Sequence, residues 1–282
     1  MRFAVKTAPQ HTTWPDMLAV WQAADEIDLF ESAWTFDHFY PIFSDSTGPC
    51  LEGWITTTAL AQATKRLRVG VLVTGMPYRH PAVLAKMTAT LDIISGGRLE
   101  LGIGAGWNQE EADAYGIDLH ATLRERFDAF DEGCEALIGL LSHDTTTLHG
   151  NYVQLEEARC NPKPLQQPHP PICIGGGGER RTLRSVARFA QHWNFPGGSV
   201  EQFVAKRAVL HRHCADIGRD PADITISTHL RGGPGALDVD ELVDQAKRYD
   251  DAGLDLGIVY LPVPHTPDVL DDVATALAPL AG

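Results

Sequence analysis

Residues 171–183, PICIGGGGERRTL, contain a short apolar run followed by four glycines and then by an arginine-rich segment. The apolar run predicts a β-strand, and the segment after the glycines predicts a helix. Only glycine lets several consecutive backbone N–H groups turn toward one point without interference from Cβ atoms. The start of the helix adds more free N–H groups and the positive end of its dipole. We therefore expect a phosphate-binding turn here, the alternative being a flexible connection between strand and helix.

The rest of the chain alternates in the same way, with short apolar runs separated by amphipathic segments. Eight runs predict strands: Phe3–Thr7, Ser32–Phe36, Arg68–Thr74, Leu99–Gly104, Ile172–Ile174, His192–Phe195, Ile224–Leu230 and Leu256–Tyr260. Caps and apolar stripes predict helices that begin after Thr13, that run from Pro81 to Gly96, from Leu123 to Leu141, and from Pro267 to Leu280. Eight strand–helix pairs in 282 residues predict a (β/α)8 barrel in preference to a doubly wound sheet.

One segment interrupts this alternation before the fifth strand. Residues 145–155, TTTLHGNYVQL, predict a β-hairpin around a Gly-Asn turn, and a proline-rich stretch follows it. We expect a small hairpin insertion within a single domain that covers residues 1–282.

Composition excludes several classes of function. The net charge of −14 argues against a nucleic-acid partner, since such proteins normally present a basic face. No apolar run approaches the roughly 18 residues that a membrane helix needs, and no cleavable signal is visible, so we expect a cytoplasmic protein. The five cysteines are odd in number and scattered. They match neither a zinc site nor a disulfide framework, so we expect no metal and reduced thiols.

Reactive side chains of such a barrel lie where the strands end. His38 follows the second strand, and a histidine can exchange a proton near neutral pH. Asp37 beside it is expected either to orient the imidazole or to cap the loop.

An apolar wall is expected near the same strand ends. Trp107 follows the fourth strand, and Phe39, Tyr40 and Met76 could extend a surface suited to a planar ligand. Trp107 is equally well explained as core packing.

Six motifs occur along the chain in the order DHF (37–39), VTGMPYRHP (73–81), ISGGRL (94–99), GAGW (104–107), NPKP (161–164) and ICIGGGG (172–178). Together and in this order, they resemble the bacterial luciferase-like superfamily, and within it the oxidoreductases that use the deazaflavin coenzyme F420. The resemblance covers nearly the whole chain. It implies a TIM barrel that is commonly a homodimer, with the cofactor ring in the mouth of the barrel.

The resemblance also implies roles for individual residues. Asp37 and His38 match a pair that lies against the deazaflavin ring, where the histidine handles a substrate proton. Val71, Leu72 and Thr74 match a bulged strand end, often with a non-proline cis peptide, that lies behind the ring. The family's turn that holds the cofactor phosphate corresponds to Gly175, Gly176, Gly177 and Gly178. Gly177 and Gly178 match that turn most closely.

Two departures from the family bear on the substrate. Trp107 stands where sugar-phosphate dehydrogenases of the family have a catalytic carboxylate, and no lysine occurs between Lys163 and Lys206 to bind a substrate phosphate. Glucose 6-phosphate is therefore not expected. We expect a small-molecule substrate that is larger, flatter or more hydrophobic.

The sequence thus predicts an oxidoreductase that transfers a hydride between coenzyme F420 and an apolar or planar organic substrate. The first alternative is an FMN-dependent monooxygenase of the same superfamily, which uses reduced flavin and oxygen. The second is a non-catalytic barrel that binds flavin or deazaflavin, against which His38 argues. A phosphosugar isomerase would need a carboxylate base that the sequence does not place.

Overall fold

The computed structural model describes residues 1–233 and 237–282. The strands in these ranges are β1 (Arg2–Lys6), β2 (Phe30–Thr35), β3 (Arg68–Val71), β4 (Thr74–Gly75), β5 (Leu99–Gly104), β6 (Thr146–His149), β7 (Gln154–Ala158), β8 (Ile172–Gly175), β9 (His192–Phe195), β10 (Thr225–Leu230) and β11 (Leu256–Tyr260). The helices are α1 (Trp14–Asp25), α2 (Gly53–Ala63), α3 (Pro81–Ile94), α4 (Gln109–Tyr115), α5 (Leu123–Ser142), α6 (Thr182–Phe189), α7 (Val200–Asp216), α8 (Val239–Asp251) and α9 (Leu270–Leu277). Within these ranges, no helix combines the length and apolarity that crossing a membrane requires.

Eight parallel strands form a closed ring in the order β1, β2, β3, β5, β8, β9, β10 and β11, and β11 pairs with β1. The ring closes between β3 and β5, where Val69 lies opposite Leu99 and Gly70 lies opposite Glu100. Gly70 is needed at this closure because a Cβ atom there would lie 2.4 Å from the Trp34 ring. The predicted (β/α)8 barrel is confirmed.

The observed elements follow the predicted ones closely, with two instructive differences. The third strand ends at Val71 and resumes as β4 at Thr74, and the peptide bond between Leu72 and Val73 in the bulge is cis. The last helix is shorter than predicted, since 3-10 turns replace its ends. Pro279 explains the second of these turns, because its nitrogen has no hydrogen to donate to an α-helical bond.

The predicted hairpin insertion is present as β6 and β7. The two strands pair antiparallel and form a sheet separate from the barrel ring. Glu132 of α5 accepts hydrogen bonds from the backbone N–H groups of Asn151, Tyr152 and Val153, which fastens the hairpin turn to the barrel.

Successive side chains along a ring strand alternate between two buried environments. Phe3 and Val5 of β1 pack in the large core between the ring and the helices, whereas Ala4 belongs to a small cluster with Cys173 and Ile258. Because successive side chains of a strand point to opposite faces, this second cluster fills the inside of the barrel.

A buried charged group lies near the amino ends of the ring strands. His192 contacts Glu100 at 3.0 Å through Nδ1 and Ser227 at 2.7 Å through Nε2, while Arg68 donates to Glu100 at 2.7 Å. Burial disfavours charge on Glu100, but His192 and Arg68 hold its pKa at about 2. Burial also disfavours charge on His192, yet Cys173 and Glu100 raise its pKa to about 10. Both groups are therefore charged at neutral pH.

We predict that Glu100→Gln lowers the free energy of unfolding by roughly 3 kcal/mol, because it removes the counter-charge of a buried histidine. The depressed pKa of Glu100 contributes stability above its ordinary value of 4.5, and this contribution falls away as the pH drops toward about 2. The raised pKa of His192 contributes stability below 6.5, which is lost as the pH rises toward about 10. The effect of Glu100→Gln on urea unfolding should therefore be largest between pH 4.5 and pH 6.5.

The matched control is Glu179→Gln, which breaks an exposed ion pair with Lys206. An equal effect of the two substitutions would contradict the prediction.

Candidate functional site

A cavity of about 470 Å³ opens at the carboxyl ends of the ring strands. This volume lies in the range of small-molecule sites. Each strand of the ring, or the segment that follows it, contributes to the wall, through Lys6, His38, Val73, Gly104, Ile174, Asn194, His229 and Tyr260 among others. Among the described residues, no group of three or more histidine, cysteine, aspartate or glutamate side chains is arranged to hold a metal ion.

His38 lies in this wall and is held by a glutamate from another element. Its Nδ1 lies 2.7 Å from Oε2 of Glu111, a fully buried residue of α4. Glu111 also accepts hydrogen bonds from the Tyr78 hydroxyl at 2.6 Å and from the Phe39 backbone N–H at 2.7 Å. Three donors thus converge on one carboxylate.

This convergence determines which nitrogen of His38 carries a hydrogen. Burial raises the pKa of Glu111, but the hydrogen bonds from His38, Tyr78 and Phe39 together hold it below its ordinary value. An ionised carboxylate can only accept, so Nδ1 of His38 is the donor. Nε2 has no hydrogen-bond partner among the described residues, and it is therefore the nitrogen available to exchange a proton with a ligand in the cavity.

Asp37 does not orient His38, contrary to one of the two roles expected from the sequence. Its carboxylate is bound by the guanidinium of Arg79, which also lies 3.4 Å from Glu52. Asp37 is 1% exposed, so this pairing satisfies a buried charge. Asp37 and His38 therefore have different partners, although they are neighbours in the chain.

The bulge after β3 shapes the floor of the cavity. Leu72 and Val73 line the cavity, whereas Val71 is buried in the core. The Thr74 hydroxyl accepts a hydrogen bond of 2.7 Å from the Trp54 indole. Val73 packs beside two glycines of neighbouring strands, and Cβ atoms at Gly104 and Gly175 would lie 3.0 and 3.1 Å from its methyl groups. These glycines give Val73 its space.

The glycine run forms an open turn between β8 and α6. Gly175 and Gly176 line the cavity, and the N–H of Gly176 donates to the Asn194 carbonyl at 3.1 Å. The N–H groups of Gly177 and Gly178 have no partner in the described part of the chain. The helix does not begin directly after the glycines but at Thr182. Two free N–H groups therefore remain on this turn, as an anion site requires.

An arginine near the turn is already paired with helix α5. Arg181 donates to Asp128 at 2.7 Å and lies 3.5 Å from Asp131. Any anion at the turn would therefore be held mainly by backbone N–H groups.

The aromatic wall differs in part from the expected one. Trp107 lines the cavity and stacks on Phe43, with ring centroids 5.4 Å apart and an interplanar angle of 7°. Phe39 instead packs against Tyr115 at 4.7 Å. The remaining two expected residues also lie away from the wall: Tyr40 packs toward Tyr115, and Met76 is buried against Gly133 of α5.

The wall also contains residues that the sequence did not place at the site, among them Lys6, His229, Arg231 and Tyr260. They end the strands β1, β10 and β11. The position of Lys6 could have been predicted, because Lys6 lies two residues after Ala4 on the same strand. Its side chain therefore points to the same side as that of Ala4, which is the inside of the barrel. By contrast, no motif around Glu111 indicated that it would contact His38.

Comparison with known proteins establishes the family. The family model for luciferase-like monooxygenases matches residues 1–232. The chain belongs to this family. An FMNH2-dependent dimethylsulfone monooxygenase of Pseudomonas putida is 34% identical over 167 residues, which cover 57% of this chain and 45% of that enzyme. The chain spans about half the length of the curated luciferase-like relatives it matches.

Two solved structures show the same fold. An F420-dependent secondary alcohol dehydrogenase superposes with a TM-score of 0.86 at 18% identity, covering 98% of both chains. The coenzyme F420-dependent tetrahydromethanopterin reductase of Methanopyrus kandleri gives a TM-score of 0.84 at 19% identity, covering 100% of this chain and 99% of that one. At these identities the similarity establishes the fold.

We predict that Glu111→Gln lowers the free energy of unfolding by about 1–3 kcal/mol. Each oxygen of Glu111 accepts at least one hydrogen bond, so the amide group would face a donor whichever way it turned. Glu110→Gln, on the exposed side of the same helix, is the matched control. Urea unfolding at neutral pH measures both variants. If Glu111→Gln is as stable as Glu110→Gln, Glu111 does not hold His38 in the way described.

Proposed function

We propose that this luciferase-like protein is an oxidoreductase that transfers a hydride between coenzyme F420 and an organic substrate. The observation that favours this function is the arrangement of His38, with Nδ1 fixed on Glu111 and Nε2 left to the cavity. Hydride transfer to a carbonyl or an activated alkene leaves a basic atom that must take up a proton. Protonated His38 is placed to give that proton, and neutral His38 is placed to remove it in the reverse direction.

The residues present fit a deazaflavin cofactor. The free N–H groups of Gly177 and Gly178 suit its phosphate, and a Cβ at Gly177 would lie no closer than 3.9 Å to a neighbour, so the turn is open. Leu72 and Val73 offer an apolar surface for a planar ring. When bound, the cofactor would supply or accept the hydride. The protein would contribute the position of the ring and the proton.

The substrate follows from the aromatic wall. Trp107 and Phe43 form a stacked, solvent-exposed pair at the cavity, which favours an apolar or planar small molecule. Asp37 would act indirectly, by holding Arg79 in the loop that precedes α3. We also expect the protein to act as a homodimer.

A second candidate function is that of an FMN-dependent monooxygenase. The observation that favours it is the 34% identity to the FMNH2-dependent dimethylsulfone monooxygenase of Pseudomonas putida. The same glycine turn would suit the phosphate of FMN, so the turn does not separate the two cofactors.

We predict that His38→Ala lowers the rate of hydride transfer by about 10²–10⁴-fold, because the variant lacks the general acid. Stopped-flow oxidation of the bound reduced coenzyme F420 by a reducible substrate measures this step. Coenzyme affinity should change little, and the pH profile of the rate should lose one arm. His149→Ala, on the exposed hairpin, is the control for loss of a histidine elsewhere. A near wild-type rate with an unaltered pH profile would mean that another group moves the proton.

A further inference from the structure

Basic side chains cluster at one end of the cavity. Nζ of Lys6 lies 3.3 Å from Nε2 of His229 and donates to the Leu72 carbonyl at 2.7 Å. The guanidinium of Arg231 lies 4.4 Å from the ring centroid of Tyr260, and the Lys6 ammonium lies 5.2 Å from the same centroid. These four residues (Lys6, His229, Arg231 and Tyr260), which we call the basic end, lie at the carboxyl ends of three adjacent strands, β1, β10 and β11.

Among the described residues, no carboxylate pairs with the basic end. None of the described side chains that line the cavity is an aspartate or a glutamate. In the described part of the chain, neither Lys6 nor Arg231 forms a salt bridge, although the protein as a whole carries a net charge of −14. The acidic groups near His38 are already paired, since Glu111 accepts from three other donors and Asp37 is bound by Arg79. The cavity therefore offers a ligand basic groups, including the Arg231 guanidinium, that no described carboxylate pairs with.

Burial in the cavity wall destabilises the charged form of Lys6. Lys6 is 4% exposed, and burial, followed by the charge of Arg231, lowers its pKa to about 7. Burial and the charges of Lys6 and Arg231 likewise hold the pKa of His229 well below its ordinary value. An anion placed among these groups would offset the burial and the mutual repulsion, as happens at ligand sites built from perturbed basic groups.

We propose that the basic end binds an anionic group of the substrate, most simply a carboxylate, while the apolar part of the substrate lies against Trp107 and Phe43. The proposal rests on the proposed function, since it names the substrate class of the same cavity: an apolar or planar organic acid. Lys6 and His38 end adjacent strands, so a carboxylate at the basic end places the neighbouring part of the substrate beside His38. Arg231 is exposed and stacked on Tyr260, so it lies where an entering anion would first meet charge.

The basic end has two competing roles that must be distinguished from substrate binding. In the first, Lys6 serves only to hold the Leu72 carbonyl and thereby the bulge after β3. In the second, the negative charge that the basic end meets belongs to the cofactor rather than to the substrate. Arg231 distinguishes these roles, because its side chain makes no hydrogen bond within the described residues and removing it should leave the fold intact.

The test uses benzoate and its neutral analogue benzamide as probes, titrated by calorimetry into the full-length protein, both without cofactor and with coenzyme F420 bound. We expect benzoate to bind at least about tenfold more tightly than benzamide in both forms. Arg231→Gln and Lys6→Met should each abolish this preference, and Arg231→Gln should leave coenzyme affinity within about twofold of wild type. Arg184→Gln, which removes an exposed charge on α6, is the control for net charge and should keep the preference.

The outcomes separate this proposal from the proposed function. Equal affinity for the two probes in wild type, or an unchanged preference in Arg231→Gln, overturns the basic end as a carboxylate site. Loss of coenzyme affinity in Arg231→Gln with benzoate binding unchanged overturns it as well, and assigns the charge to the cofactor. If benzoate binds as predicted but coenzyme F420 does not bind at all, the carboxylate site stands and the coenzyme assignment fails. Should Lys6→Met not fold, Arg231→Gln alone decides.

Discussion

The carboxylate of Glu111 fixes the reactive side of the cavity. It brings together the end of β2, the 3-10 turn after β4 and helix α4 by accepting from His38, the Phe39 backbone and Tyr78. Buried carboxylates are stable only when their lone pairs are used, and here three donors use them. The same bonds leave one nitrogen of His38 to the ligand. Without Glu111, the loop after β2 would lose its anchor and the imidazole its orientation.

Charge is distributed unevenly around this barrel. At the amino ends of the strands, Glu100 and His192 neutralise each other, and near the glycine turn Arg181 is neutralised by α5. Asp37 and Arg79 form another pair beside the site. Against this background the basic end of the cavity is the exception, since its charges meet no acidic side chain in the described part of the chain. Unpaired charge in a cavity indicates a ligand more strongly than paired charge does.

Much of the fold could be predicted from the sequence, because strand and helix periods are local signals. The eight strands of the ring and the hairpin all follow from runs such as VGVLV at 69–73 and TTTLH at 145–149. Positions at strand ends were also accessible, which is why His38, Trp107 and the glycine turn were found. Lys6 and His229 could have been found by following strand parity into the barrel. The partnership of His38 with Glu111 could not, since 73 residues separate them and Glu111 lies on a short helix without a motif of its own.

The identity of the coenzyme is tested most directly by titrating the purified protein with coenzyme F420 and with FMN in parallel, and then measuring oxygen uptake by each reduced complex. Coenzyme F420 should bind at least about tenfold more tightly than FMN, a difference of about 1.4 kcal/mol. Its reduced complex should consume no oxygen, because a deazaflavin has carbon at position five and does not form the oxygen adduct. Equal or tighter binding of FMN, together with oxygen uptake, would contradict the proposed function and place the protein among the monooxygenases of its family.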